Sequence, residues 1–82
     1  MTATLQDIKG WLERAKQLKA THLIVAVDTY DYDNYPVYVS EDEDVHKEYD
    51  RIIGSSMQGV DEVYNMSMDI ETQLKERRAK NF

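Results

Sequence analysis

The sequence predicts a small α+β domain built on a three-stranded mixed sheet packed by helices, in the order α-β-β-α-β-α along residues 1–82. The segment His22–Asp28 carries apolar side chains on both of its faces, so it is a central strand covered on both sides or one whose second face is partly covered. Residues 4–19, which precede that strand in the chain, and residues 41–53, which follow it, repeat apolar residues at helical spacing. A chain of 82 residues has room for a single core.

The first helix is predicted over residues 4–19. Thr4 is its candidate N-cap, with Asp7 three residues later at the position that completes a capping box. Leu5, Ile8 and Leu12 recur at the spacing of one helix face. This face is expected to pack on the sheet.

The second strand is predicted to be short. Pro36 is its first residue, a position where the missing N–H is tolerated, and residues 37–39 continue it. A second helix is predicted directly after it, over residues 41–53. Ser40 and Glu43 have the spacing of a capping box, which makes Ser40 its N-cap. Its expected buried stripe consists of Val45, Tyr49, Ile52 and Ile53.

The stretch from residue 60 to residue 69 is ambiguous between strand and helix. Apolar and polar side chains alternate from Tyr64 to Ile70, which favours a third strand over roughly residues 60–67. A last helix is predicted from Asp69 to Lys80. Because the helix over residues 41–53 joins the second strand to the third, these two strands are expected to run parallel, which makes the sheet mixed.

Composition restricts the function classes. Ten Lys and Arg against sixteen Asp and Glu give a net charge of −6, which disfavours direct contact with nucleic acid and favours a protein partner with a basic surface. There is no Cys, which fits a reducing compartment. No apolar run approaches the roughly 20 residues that span a bilayer, and no signal-peptide pattern opens the chain. We therefore expect a cytoplasmic protein, in host cytoplasm if it is phage-encoded, with no membrane contact.

The most distinctive segment is the connection over residues 28–36, which is rich in Tyr and Asp. One interpretation is a turn whose Asp side chains cap backbone groups; another is a contact surface, because tyrosine is enriched at interfaces. A small-ligand or divalent-metal site on the carboxylates of residues 28–33 is an alternative, although Pro36 stands where an EF-hand loop needs glycine. The candidate interaction residues are Tyr30, Asp31, Tyr32, Asp33 and Tyr35, together with Glu41, Asp42, Glu43 and Asp44.

Catalytic signatures are missing from the sequence. His22 and His46 are far apart, and Gly10, Gly54 and Gly59 are isolated, so no phosphate-binding loop is formed. Met57, Met66 and Met68 fit an adaptable binding surface or, more commonly, core filler. We predict no enzyme, no cofactor and no metal ligands.

Residues 22–29, 31–39 and 62–69 resemble segments of short, uncharacterised, acidic proteins encoded by bacteriophages and prophages. The resemblance implies an accessory factor that acts on a host protein, and some such factors imitate the charge of nucleic acid. The expected function is therefore occlusion of a basic surface on a host protein, for example a defence or nucleic-acid-handling protein. A self-assembling subunit, with a homo-oligomer as the functional form, is a further alternative.

Overall fold

The computed structural model describes residues 2–76 and 78–82, and these residues follow the predicted order of elements. The elements are α1 (Leu5–Gln17), β1 (His22–Asp28), β2 (Asn34–Val39), α2 (Val45–Ile53), β3 (Gln58–Asn65) and α3 (Ile70–Lys75). The third strand is therefore a strand, as its alternation predicted, and it begins two residues earlier than expected.

The three strands form one sheet in the order β2-β1-β3, and both neighbouring pairs are antiparallel. The predicted mixed sheet is therefore wrong. β2 and β3 do run in the same direction, but β1 lies between them because α2 carries the chain across the middle strand. β1 takes the central position because both of its faces are apolar, and at an edge of the sheet more of that apolar surface would be exposed to water.

Each face of the sheet has its own apolar core, so β1 is covered on both sides. On one face α1 buries Ile8, Leu12 and Ala15 against Leu23 and Val25. On the other face α2 packs on the sheet, where the buried side chains are Ile24, Ala26, Val39, Val45, Ile52 and Val63. Successive residues of β1 thus belong alternately to the two cores, as the pleat of a strand requires.

The two predicted helix starts have different outcomes. Thr4 caps α1 as expected, because its hydroxyl accepts from the Asp7 N–H and the Asp7 carboxylate accepts from the Thr4 N–H. The predicted start of the second helix, at residue 41, is wrong by four residues. Residues 41–43 form a turn, and α2 begins only after Asp44, whose side chain accepts from the His46 N–H at 2.9 Å.

The last helix is shorter than predicted and ends at Lys75 rather than Lys80; Arg77 lies outside the described residues. The chain then reaches the outer edge of β3, where the Val63 N–H donates to the Ala79 carbonyl at 3.1 Å and the Asn81 N–H donates to the Val63 carbonyl at 3.0 Å. Pairing of this edge satisfies backbone groups that a longer helix would leave open. Within residues 2–76 and 78–82, no helix has the length and apolarity needed to cross a bilayer.

Candidate functional site

The two acidic segments lie at opposite ends of β2. This strand has six residues, longer than predicted, and therefore separates them by about 20 Å at the usual rise per residue. We call residues 28–33 and 53–57 together the tyrosine end, and residues 40–44 the capped end. The predicted interaction residues are therefore divided between two places rather than joined in one site.

The carboxylates of the tyrosine end hold the shape of the loop. Asp28 Oδ1 accepts from the Tyr30 N–H at 2.9 Å, and Asp31 Oδ1 accepts from the Asp33 N–H at 3.1 Å. The Tyr32 N–H donates to the Asp28 carbonyl at 2.7 Å and closes the turn. The two bonds that the Asp28 and Asp31 side chains accept are Asx turns, as the capping interpretation predicted.

The metal-site alternative gains no support from this geometry. In the part of the chain that the structure describes, no group of three His, Asp or Glu side chains is placed to hold a metal ion. Asp28 and Asp31 each use a carboxylate oxygen on a backbone N–H instead. A divalent cation at this loop would have to compete with those hydrogen bonds.

The three tyrosines of the connection differ in their surroundings. Tyr30 and Tyr32 are 79% and 67% exposed, and Tyr32 has a positive φ of 60°. Tyr35 is half-buried among the apolar residues under α2, and its hydroxyl donates to Gln58 Oε1. Tyr35 is therefore part of the packed sheet, and only Tyr30 and Tyr32 present their rings to solvent.

Two further apolar side chains lie at the tyrosine end: Ile53, and Met57, for which the sequence left a binding surface or core filler open. Ile53 is 47% exposed and Met57 is 49% exposed. The Thr29 N–H donates to the Met57 carbonyl at 2.9 Å, which brings the loop after α2 beside the loop after β1. Ile53 was expected in the buried stripe. A signal was present, since Ile52 and Ile53 are neighbours about 100° apart around the helix and cannot share one narrow face.

The capped end uses its polar groups on one another. The Ser40 N–H donates to Glu43 Oε1 at 2.9 Å, and the Ser40 hydroxyl lies 2.6 Å from Asp42 Oδ1 and 2.7 Å from Glu43 Oε1. The side-chain hydrogen bond from Ser40 lowers the pKa of Asp42, and the backbone hydrogen bond from Ser40, followed by its hydroxyl, lowers the pKa of Glu43. Glu41 is exposed beside them.

Comparison of the chain with protein-family models, with curated proteins and with solved structures finds no match. The phage-protein resemblance of residues 22–29, 31–39 and 62–69 therefore stays a prediction. The two ends of the sheet are therefore the places where the geometry points to a function.

Proposed function

We propose that this protein acts by binding another protein, and that the tyrosine end makes the contact with a partner surface that is basic and partly apolar. The observation that carries the proposal is the gathering of four exposed large apolar side chains at one end of the sheet. These are Tyr30, Tyr32, Ile53 and Met57. Exposed apolar residues scattered singly need no explanation, whereas several at one place are typical of an interaction surface.

The residue types suit this role. Tyrosine adds a large contact area with few rotatable bonds, and methionine adapts its shape to a partner. Tyr30 and Tyr32 are held on a loop whose backbone is fixed by the turns at Asp28 and Asp31. A fixed loop loses less conformational entropy on binding than a mobile one.

Charge selects the kind of partner. Residues 28–33 contain three carboxylates, and residues 28–33 and 53–57 contain no Lys or Arg. A partner with Lys or Arg around an apolar centre is complementary to this surface, and its approach is favoured by the net charge of −6. The same like charge opposes pairing of two copies through this end, which disfavours the self-assembling alternative.

The biological setting that we propose is the one implied by the phage-protein resemblance. A small acidic accessory factor would cover a basic surface on a host protein and block what that surface normally binds. The contact requires no chemistry from the acidic protein, in agreement with the proposal that it is not an enzyme.

The test is capture of partners from host lysate with the wild-type protein and with a Tyr30→Ala/Met57→Ala variant. Wild type should retain a defined protein at low salt and release most of it at about 0.5 M salt, where the screening length falls to a few Å. The double variant should lose capture by about tenfold or more, because central interface residues commonly contribute about 2 kcal/mol each.

Met68→Ala is the matched control, since Met68 is 48% exposed and follows β3 at the opposite end of the sheet. It should capture the same protein as wild type. Equal capture by the double variant and the Met68 variant would refute the tyrosine end as the contact. A stable oligomer in light scattering that dissociates in the double variant would support self-assembly instead.

A further inference from the structure

A pocket with both apolar and charged side chains in its lining lies beside the tyrosine end, on the face of the sheet that α1 covers. Its volume is about 350 Å³, within the range of small-ligand sites. Its lining includes Val27, Thr29, Tyr32, Asn34, Asp61 and Arg78. These residues come from β1, the loop after it, β2, β3 and the segment after α3, so the pocket exists only in the folded chain.

The side chain of Asn34 makes three hydrogen bonds at the pocket. Its Nδ2 group donates to the Ala26 carbonyl at 3.1 Å and to Asp61 Oδ2 at 2.9 Å, while its Oδ1 accepts from the Ala3 N–H at 2.8 Å. The amide orientation is therefore fixed by backbone groups on two sides. One oxygen of the Asp61 carboxylate is held in place, which leaves its other oxygen to accept from a ligand.

Asp61 reaches this position through an irregularity in β3. Val25 faces Glu62, but the next residue of β1, Ala26, faces Val60, so Asp61 is an extra residue in the strand. Such a bulge redirects a side chain and is frequent next to binding sites.

The backbone is strained at two other points of the lining. Tyr32 and Arg78 have φ values of 60° and 62°, in the left-handed region that residues with a side chain rarely adopt. Strain of this kind persists where the surrounding structure fixes it, and it concentrates at binding sites. Among the described residues, Asp61 and Arg78 form no ion pair, either with each other or with another group.

We propose that this pocket binds a small zwitterionic molecule of the amino-acid type, with its ammonium group on Asp61 and its carboxylate group near Arg78. A purely anionic ligand would meet the Asp61 carboxylate, and a purely cationic one would meet Arg78. A ligand that carries both charges satisfies both residues, and Tyr32, Val27 and Thr29 cover its aliphatic part. This site shares Thr29 and Tyr32 with the tyrosine end, but ligand binding there needs no partner protein.

Titration of the ¹⁵N-labelled protein with L-alanine, followed by NMR, tests the proposal. The Asn34 side-chain amide and the backbone amides of Thr29 and Asp61 should shift saturably. Ethylamine and acetate, which each carry one of the two charges, should bind about tenfold more weakly or worse at the same ionic strength, because each lacks one charge-assisted hydrogen bond. Absence of saturation with L-alanine, or equal binding of either single-charge probe, would overturn the proposal.

Two variants test whether Asp61 and Arg78 each recognise one charge of the ligand. Asp61→Asn keeps the acceptor for Asn34 and removes the negative charge, and Arg78→Gln removes the positive charge. Each should weaken L-alanine binding by about tenfold or more, whereas Asp50→Asn on the exposed side of α2 should not change it. Unchanged binding in both pocket variants would refute the site. No partner protein takes part, so this result and the lysate result fail or succeed separately.

Discussion

The tyrosine end and the capped end look alike in composition and differ in what their side chains do. Both are acidic, and both use Asp side chains to cap backbone N–H groups. At the capped end the hydrogen bonds of Ser40 draw in the carboxylates of Asp42 and Glu43. At the tyrosine end the capped loop displays two aromatic rings beside Ile53 and Met57.

This difference teaches that an acidic run is not by itself a contact surface. Carboxylates next to backbone N–H groups and hydroxyls stabilise a turn, and that use needs no partner. The hydrogen bonds that shape this turn join Asp side chains and backbone groups, and the rings of Tyr30 and Tyr32 take no part in them. The exposed apolar groups are therefore the part of the tyrosine end that local structure does not explain.

The largest expected effect on stability is at Asn34, which ties the start of β2 to β1, β3 and the segment before α1. Asn34→Ala removes three hydrogen bonds and should lower the free energy of unfolding by about 2 kcal/mol. Urea unfolding followed by circular dichroism measures this change. A loss below about 0.5 kcal/mol, the usual effect of a neutral surface change, would mean that the tyrosine end is not organised by Asn34.

Asp44→Ala tests the capped end as a helix start. Loss of the side-chain bond to the His46 N–H should cost about 1 kcal/mol in unfolding free energy. Asp44→Asn is the control, because asparagine is an equally good N-cap without the charge, and it should remain close to wild type. Equal losses in the two variants would show that charge rather than capping matters there.

Ser40→Ala should lower stability in a pH-dependent way. The pKa values of Asp42 and Glu43 are lowered in the folded protein, so their hydrogen bonds contribute stability above the unfolded-state pKa values of 3.8 and 4.5, and the contribution is lost as pH falls through the folded pKa values. Unfolding at pH 7 and at about pH 3 should show a difference between Ser40→Ala and wild type that shrinks at the acidic pH. A difference independent of pH would separate Ser40 from these carboxylates.

Tyr32→Asn tests the tyrosine end, in contrast to the two preceding variants at the capped end. Asparagine adopts a positive φ at lower cost than tyrosine, so this variant should be more stable by about 0.5 kcal/mol while it weakens partner capture. Thermal unfolding and the lysate experiment measure the two effects. Reduced stability would show that the Tyr32 ring supports the fold rather than a contact.

Local patterns predicted α1, β1 and the existence of the other elements, because caps and periodicity involve residues close in sequence. The Ser40 and Glu43 pattern misled the prediction of α2. The same side-chain bonds close an isolated turn, and Asp44 offers a second cap from which the helix starts. The end of α3 was missed because it depends on the open edge of β3, which local sequence does not reveal.

The sequence by itself determined the acidic balance, the element order and a loop in which Asp side chains shape the backbone and Tyr30 and Tyr32 are prominent. These properties follow from composition and short-range hydrogen bonding. Only the tertiary structure decided that β1 lies at the centre of an antiparallel sheet, that Ile53 and Met57 join the tyrosines, and that Asp61 and Arg78 line one pocket. Those arrangements depend on which strands pair and on how α2 crosses the sheet, and pairing brings together residues that are distant in the chain.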